Sequence, residues 1–247
     1  MPTNSEKDTF QSIKNVVKPF FDFMVDIQSE GLEHIPAEGP AILVGNHRSD
    51  MDPFVVASKV PRYISWIAAR YTEQIPLFNN LTRATGVIPM DIHGNVSVSS
   101  IKKLMSVLRS GDLLGIFPEG HDYIVRNDFS APLESFHEGF GIFAYRGKAP
   151  VIPFTIIPLE EEIQTMPLPS TIRKFMGLPE EVCAIPHRVQ YRKVKLVVNE
   201  PIPYASFGDL PEKEAVSTIV KKSRTILHSM QVANGMLPAT AQPTASE

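Results

Sequence analysis

The sequence predicts an α/β domain: a mostly parallel central sheet flanked by helices, with an N-terminal amphipathic helix. Three observations predict it. Short continuous apolar runs of strand length, such as Ala41-Ile-Leu-Val-Gly45 and Pro150 to Pro158, alternate with stretches whose apolar residues recur at helical spacing. Glycine and proline mark the junctions between them. The strand–helix alternation persists through most of the 247 residues, which is the pattern parallel crossovers produce.

The first helix is read from Phe10 to Ile27. Phe10, Ile13, Val16, Val17, Phe20, Phe21, Met24, Val25 and Ile27 form one stripe, and Lys14, Lys18, Asp22 and Asp26 recur on the other face. Pro19 removes a backbone donor and is expected to kink the helix or to restart it. Such a stripe serves either a helix packed on the core or one lying in a membrane interface. Residues 31–39 are turn residues, and 41–45 read as a buried strand. Pro53 to Val60 reads as a helix with Asp52 as N-cap and Pro53 in the first turn. Tyr63 to Ala68 is an apolar run, Glu73 to Thr85 looks helical, and Gly86 to Met90 looks like a strand. Val98, Ile101, Leu104, Met105 and Leu108 give a helix over 95–109, closed by Gly111. Asp112 to Phe117 is a strand ending in Pro118-Glu119-Gly120. Leu133 to Arg146 is a helix stopped by Gly147, and Pro150 to Pro158 is a strand. Tyr191 to Val198 alternates basic and apolar residues, as an outer strand does. Ala215 to Val232 is the last helix. Residues 160–190 carry five Pro or Gly and no period, and read as a long irregular excursion. The chain thus divides into a helical segment (1–29), one domain (30–232) and a disordered tail (233–247).

Composition narrows the function. Apolar residues make up 43% and charged residues 21%, which excludes disorder, collagen and coiled coil. The 24 basic and 27 acidic residues give a net charge of −3, which disfavours a dedicated nucleic-acid binder. One cysteine, Cys183, excludes an internal disulfide and a multi-cysteine metal site. No run of apolar residues is long enough to span a bilayer, and the start lacks the basic-then-apolar order of a secretory signal. The expected location is the cytoplasm, or a membrane surface reached from that side.

Open α/β sheets place their sites beyond the carboxyl ends of the strands. Two polar segments stand at such ends: Asn46-His47-Arg48-Ser49-Asp50-Met51-Asp52 and Phe117-Pro118-Glu119-Gly120-His121-Asp122. His47 and Asp52, five apart, would not share a face of one helix. Pro53 disfavours helical geometry at Asp52, so residues 48–51 are free to turn and bring the carboxylate back to the imidazole. A histidine so held accepts a proton near neutral pH, and the carboxylate on its other nitrogen fixes the tautomer. No serine or cysteine is needed if the substrate brings the nucleophile. The same residues also admit a structural reading, with Asp52 a plain N-cap, and a metal site built from His47, Asp50 and Asp52.

Taken together, these segments resemble the glycerolipid acyltransferases, the family of the bacterial lysophosphatidic acid acyltransferases. Asn46 to Asp52 resembles the family's first block, a His and an Asp separated by four residues. Gly86-Val-Ile-Pro-Met-Asp91 resembles the second, Phe117-Pro-Glu-Gly120 the third and Pro150-Val-Ile-Pro-Phe154 the fourth, all in the family's order. Glu138 to Ala144 resembles the helix between the third and fourth blocks, and Asn199-Glu200-Pro201-Ile202 the closing strand end. The likeness covers about residues 30–205.

The resemblance implies His47 as general base and Asp52 as its orienting acid. It implies substrate binding by Asn46, Arg48, Pro118, Glu119, Gly120 and His121, with backbone N–H groups around Gly120 aimed at the oxyanion. It implies an acyl-CoA or acyl carrier protein thioester as co-substrate, a lipid acceptor and a membrane surface as partners, and no metal or organic cofactor. Two positions depart from the pattern. Where the second block usually ends in arginine this chain has Ile92, followed by His93; where the third continues Thr-Arg it has His121-Asp122. Both arginines are linked to the acceptor's phosphate, for which Arg is the best-suited side chain. Arg48, Arg70, Arg83 or Arg126 would have to substitute, or the acceptor is an uncharged lipid or glycolipid contacted by His93 and His121. An inactive lipid-binding protein and a thioester hydrolase are the competing classes; a Cys183 nucleophile beside His187 has no further support. Phe54, Trp66, Phe78, Phe129, Phe140 and Phe143 are candidates for an acyl groove. Arg173, Lys174, Arg188, Arg192, Lys193 and Lys195 are candidates for an anion-binding surface.

Overall fold

The computed structural model describes residues 2–74, 76–90, 97–120, 136–166, 168–178, 180, 183 and 187–238. Their helices are α1 (Asn4–Met24), α2 (Asp52–Lys59), α3 (Pro76–Ala84), α4 (Val98–Arg109), α5 (Gly139–Gly147), α6 (Ser170–Phe175) and α7 (Glu212–Ala233). Their strands are β1 (Asp26–Glu30), β2 (Ala41–Gly45), β3 (Ile64–Ala69), β4 (Ile88–Met90), β5 (Leu113–Ile116), β6 (Val151–Thr165) and β7 (His187–Val198). The strands form one seven-stranded sheet in the order β1-β7-β6-β2-β5-β3-β4. Every pairing is parallel except β6 with β7. The α/β expectation holds, and its physical basis is visible in β2. Ile42 and Val44 face one apolar layer with Leu114, Phe140 and Leu227; Ala41 and Leu43 face the other with Val55, Trp66 and Phe154. A strand covered on both faces reads as an unbroken apolar run.

Several local readings change. Helix α1 passes through Pro19 without stopping, because Pro19 is exposed and the carbonyl it leaves unpaired, on Asn15, lies on an exposed residue open to water. The helix ends at Met24, and Ile27 belongs to β1, an edge strand that pairs Asp26 with Lys193 and Glu30 with Val197. The helical stripe continued into a strand because both need an apolar residue at this point. Since β1 covers the edge, β7 is an inner strand, not an outer one. The predicted helix over 73–85 is a 3₁₀ turn, Arg70–Gln74, followed by α3, which starts at a proline. Helix α5 begins at Gly139, and its left-handed C-terminal residue is Lys148 (φ 49°), not Gly147. The two ends of the 160–190 excursion are strand: β6 and β7 stay paired out to Thr165 and His187, with a register shift beside Pro158, and α6 lies between them. Helix α7 runs to Ala233 and Leu237 is buried, so the first residues of the expected tail are ordered. Residues 239–247 lie outside the described residues.

Direction follows from these pairings. Strands β2, β3, β5 and β6 run the same way, so His47 and the Phe117-Pro118 corner leave the sheet at one common edge. Helix α1 runs towards that edge: near its start Lys7 Nζ bonds Asp112 Oδ1 (2.7 Å) at the opposite edge, and near its end Phe21 meets Phe54 in the first turn of α2. The central strands carry two glycines that let rings lie against the backbone. A Cβ on Gly45 would stand 2.3 Å from the Phe154 ring, and one on Gly115 would stand 2.4 Å from Trp66. Gly115→Ala should therefore cost about 1–3 kcal/mol through overpacking, measured as a lower urea midpoint. An unchanged midpoint would show that Trp66 moves aside freely.

Candidate active site

The polar segment after β2 closes on itself. The Asp52 N–H donates to the Ser49 carbonyl (2.9 Å), and α2 starts at once. Met51, not Asp52, is the cap residue; Asp52 is the first helical residue, and its side chain turns back over the loop. Asp52 Oδ2 accepts from His47 Nδ1 (2.8 Å), from the Arg48 N–H (2.6 Å) and from the Ser49 N–H (2.9 Å). Its Oδ1 accepts from the Tyr191 hydroxyl (2.7 Å). Asp52 has no exposed surface, whereas the His47 side chain is 15% exposed. With the carboxylate on Nδ1, that nitrogen carries the proton and Nε2 remains the basic atom. No described residue bonds Nε2.

The imidazole is also held by its face. It stacks on Phe117 (centroids 4.3 Å apart, planes 13° apart), and Phe117 stacks on Trp66 (5.0 Å, 8°). Phe154 meets Phe117 edge-on at 5.9 Å. Charge on Tyr191 is strongly opposed: burial first, and then the Asp52 carboxylate, raise its phenol far above the ordinary range, so it remains a donor.

Glu119 is buried beside this pair. Its Oε2 accepts the His47 N–H (3.3 Å), while Oε1 is buried with no hydrogen-bond partner among the described residues. Burial holds its carboxyl well above the usual range, the nearby Asp52 charge adds to that, and the bond from His47 works against it. Gly120 takes a left-handed φ of 67°, and a Cβ there would stand 2.8 Å from the His137 ring, so both backbone and space call for glycine.

The expected site residues do not all serve as expected. His47, Asp52 and Glu119 come together. Asn46 is a tie within the sheet: its Nδ2 donates to the Ile156 carbonyl (3.1 Å) and its Oδ1 accepts the Ile156 N–H (2.8 Å). Arg48 is an ion-pair partner of Glu161, with Nε donating to Oε2 at 2.8 Å, so it is not available as it stands for a phosphate. Pro118 is buried and its carbonyl accepts from the His137 N–H. The Gly120 N–H donates to the Phe117 carbonyl, so it is not the oxyanion donor in this conformation. His121, Ile92, His93 and Arg126 lie outside the described residues. Asp50 is exposed, and among the described residues no three ligands gather for a metal.

Of the acyl-groove candidates, Phe54 and Trp66 line an apolar cavity of about 150 Å³ between α1, α2 and β3. It extends from Asp50 and Pro53 beside the His47–Asp52 loop to Phe10 near the start of α1. Phe140 and Phe143 are core residues of the other layer; the Phe78 side chain and Phe129 are outside what is described. Of the basic candidates, Lys174, Arg192, Lys193 and Lys195 pair with Glu180, Glu162, Asp26 and Glu30, which leaves little free charge on that surface. Tyr191, Phe117 and Glu161 were not singled out by the sequence. The one available signal was Tyr191 itself, a phenol on the inward face of a strand, whose hydroxyl needs a partner.

Residues 26–157 match the acyltransferase family. Over 208 residues the chain is 23% identical to the 1-acyl-sn-glycerol-3-phosphate acyltransferase of Bacillus subtilis, covering 84% of this chain and 89% of that one. A human protein named DGAT1/2-independent enzyme synthesizing storage lipids is 26% identical over 211 residues, covering 79% of this chain and 61% of that one. The crystal structure of the 1-acyl-sn-glycerophosphate (LPA) acyltransferase, PlsC, from Thermotoga maritima has a similar fold, with a TM-score of 0.58 at 22% identity over 89% of this chain and 80% of that one.

Glu119 supplies a test of the site's electrostatics. Its folded-state pKa is raised, so the wild-type protein loses stability as the pH rises from the ordinary carboxyl value of 4.5 through the raised one. Glu119→Gln lacks that loss. The urea midpoint of the variant, relative to wild type, should move in the variant's favour between about pH 4 and pH 8. A difference that stays constant would mean that Glu119 titrates as an ordinary carboxylate.

Proposed function

The chain belongs to the glycerolipid acyltransferase family, and on that premise we propose that it moves a fatty acyl group from acyl-CoA or acyl carrier protein to a hydroxyl of a glycerolipid acceptor such as 1-acylglycerol-3-phosphate. The observation that carries the reading is the His47–Asp52 contact at 2.8 Å, with Nε2 left unbonded by any described residue and the apolar cavity close by. His47 Nε2 takes the proton of the acceptor hydroxyl as its oxygen attacks the thioester carbonyl. Asp52 stabilises the imidazolium that forms. The tetrahedral intermediate collapses, the C–S bond breaks, and the proton on His47 passes to the leaving thiolate. General base catalysis accounts for about 10²–10⁴-fold of the rate; the remainder falls to holding two lipidic substrates together and to donors at the oxyanion. The chemistry uses no cofactor beyond the thioester co-substrate.

The cavity is the proposed seat of the donor's acyl chain. Trp66 belongs both to its wall and to the ring stack that ends on His47, so a chain lying along α1 would have its carbonyl end near the imidazole. Burial raises the Glu119 carboxyl well above the usual range, and its protonated form would offer an acceptor hydroxyl both a donor and an acceptor. The pairing of Arg48 with Glu161 favours a second reading of the acceptor, a lipid hydroxyl without a phosphate, because the guanidinium next to His47 in the loop is already compensated.

Helix α1 is the proposed membrane contact. Its inner face covers the cavity, while Val16, Phe20 and Phe23 are 77%, 65% and 89% exposed, and no described helix is long and apolar enough to cross a membrane. This is the geometry of an interfacial helix, and the reading puts the enzyme on the cytoplasmic face, where the thioester donors are supplied.

His47→Ala should lower transfer of a labelled long-chain acyl group by at least about 10²-fold with the fold intact by circular dichroism. Asp52→Asn should lose much of the rate through a mis-set tautomer. The assay offers lysophosphatidic acid and a monoacylglycerol in competition, and their labelled products identify the acceptor; retention of more than about one tenth of the rate by His47→Ala would remove it as the base. Replacing Phe20 and Phe23 together by Ser should weaken co-sedimentation with liposomes and leave the melting temperature unchanged. Equal sedimentation would take α1 out of the interface.

A further inference from the structure

The β6–β7 hairpin does more than extend the sheet. Beyond the point where Gly45 pairs with Phe154, it runs on past the end of β2, and the catalytic loop is tied to it repeatedly. Asn46 bonds the Ile156 backbone, Arg48 pairs with Glu161, and the Ser49 hydroxyl donates to the Val189 carbonyl (2.6 Å). The Tyr191 N–H meets Met51 Sδ (3.4 Å) and its hydroxyl meets Asp52. We infer that Tyr191 is a positioning residue for acyl transfer, fixing the Asp52 carboxylate, and through it His47, against the β6–β7 hairpin. The inference rests on the catalytic reading of His47 and Asp52.

The reason lies in the carboxylate's own freedom. Rotation about the terminal bond of an aspartate is broad and two-fold, so donors on one oxygen do not fix its plane. Oδ2 carries three donors, all from the loop that Asp52 itself organises; Oδ1 carries one, from a strand 139 residues away in the sequence. The Tyr191 hydroxyl makes the two oxygens inequivalent and refers the plane to a rigid element. Val189 and Tyr191 lie two apart on β7, so the Val189 carbonyl and the Tyr191 N–H point to the same edge of the strand, where they meet Ser49 and Met51 of the loop. Tyr191 is fully buried, so Tyr191→Phe keeps the packing and deletes only the bond.

Steady-state kinetics with a long-chain acyl-CoA, and the acceptor that the competition assay selects, test the inference. Tyr191→Phe should lower kcat about tenfold, the scale of one hydrogen bond to a charged group, and hold KM within about twofold. In an Asp52→Asn background the same change should cost little more, because Tyr191 acts through Asp52. A folded Tyr191→Phe with wild-type kcat overturns the inference, and so does an undiminished further loss in the Asp52→Asn background. If Tyr191→Phe fails to fold, Ser49→Ala decides: it cuts the adjoining tie, and a lowered kcat at constant KM supports the hairpin as anchor, while an unchanged kcat overturns it. His47→Ala separates the two levels. Wild-type turnover in that variant overturns the catalytic reading and this inference together, whereas an essential His47 with an indifferent Tyr191 overturns the inference alone.

Discussion

A buried carboxylate with four donors is the constraint on which the rest of the site depends. Asp52 has no exposed surface, and an ion removed from water costs several kcal/mol unless hydrogen bonds replace the solvent. Bonds to charged groups are worth about 1.5–3 kcal/mol each. Here they come from one imidazole, two loop amides and one phenol, at 2.6 to 2.9 Å. The turn from β2 into α2 is therefore not an arbitrary connection. It is the path that brings the Arg48 and Ser49 amides round a carboxylate on the first residue of the next helix. Any shift of β7 or of the loop strands one of those groups, so the His47–Asp52 geometry and the packing of the sheet edge hold or fail together.

The second constraint acts across the imidazole rather than along its edge. Asp52 sets where Nδ1 points, and Phe117 sets the plane in which it does so. Phe117 is in turn backed by Trp66, which lies where Gly115 leaves space against β5. The side chain absent at Gly115 thus propagates outward, through Trp66 and Phe117, into the orientation of the His47 imidazole. Trp66 also lines the apolar cavity, so the packing that backs the imidazole defines part of the space beside it.

The sequence made the framework legible and concealed the partners. Alternating strand and helix patterns, and the run Ala41 to Gly45, were enough for a parallel sheet, because a strand covered on both faces leaves an unambiguous apolar signature. The pairing of His47 with Asp52 is expected on the ground that Pro53 keeps Asp52 out of the helix; Asp52 is in fact the first helical residue, and the turn closed by its N–H on the Ser49 carbonyl is what brings the carboxylate back. Edge strand β1 was hidden because Val25 and Ile27 satisfy a helical stripe and a strand equally well, and only the pairing with β7 separates them. The fates of Asn46 and Arg48 were also hidden. Their partners, Ile156 and Glu161, lie more than 100 residues away, in a segment whose prolines masked a continuous strand. Local periodicity cannot find a partner that tertiary register supplies. Tyr191 is the extreme case, a residue whose role depends wholly on which strand lies next to the loop.

Two acids stand beside one histidine, and the donors around them assign their roles. Asp52 receives four donors, whereas Glu119 receives one, at 3.3 Å, and keeps an oxygen with none. Two like charges in one buried site are costly; burial first, and the Asp52 charge as a lesser cause, push the Glu119 carboxyl well above the usual range. A neutral carboxyl can donate as well as accept. On the proposed reading, such a group would hold the acceptor hydroxyl by one lone pair while its proton is directed to His47 Nε2. Arg48, for its part, has its charge matched by Glu161. The donors thus concentrate at Asp52 and are few at Glu119, so the two acids beside the imidazole are held very differently.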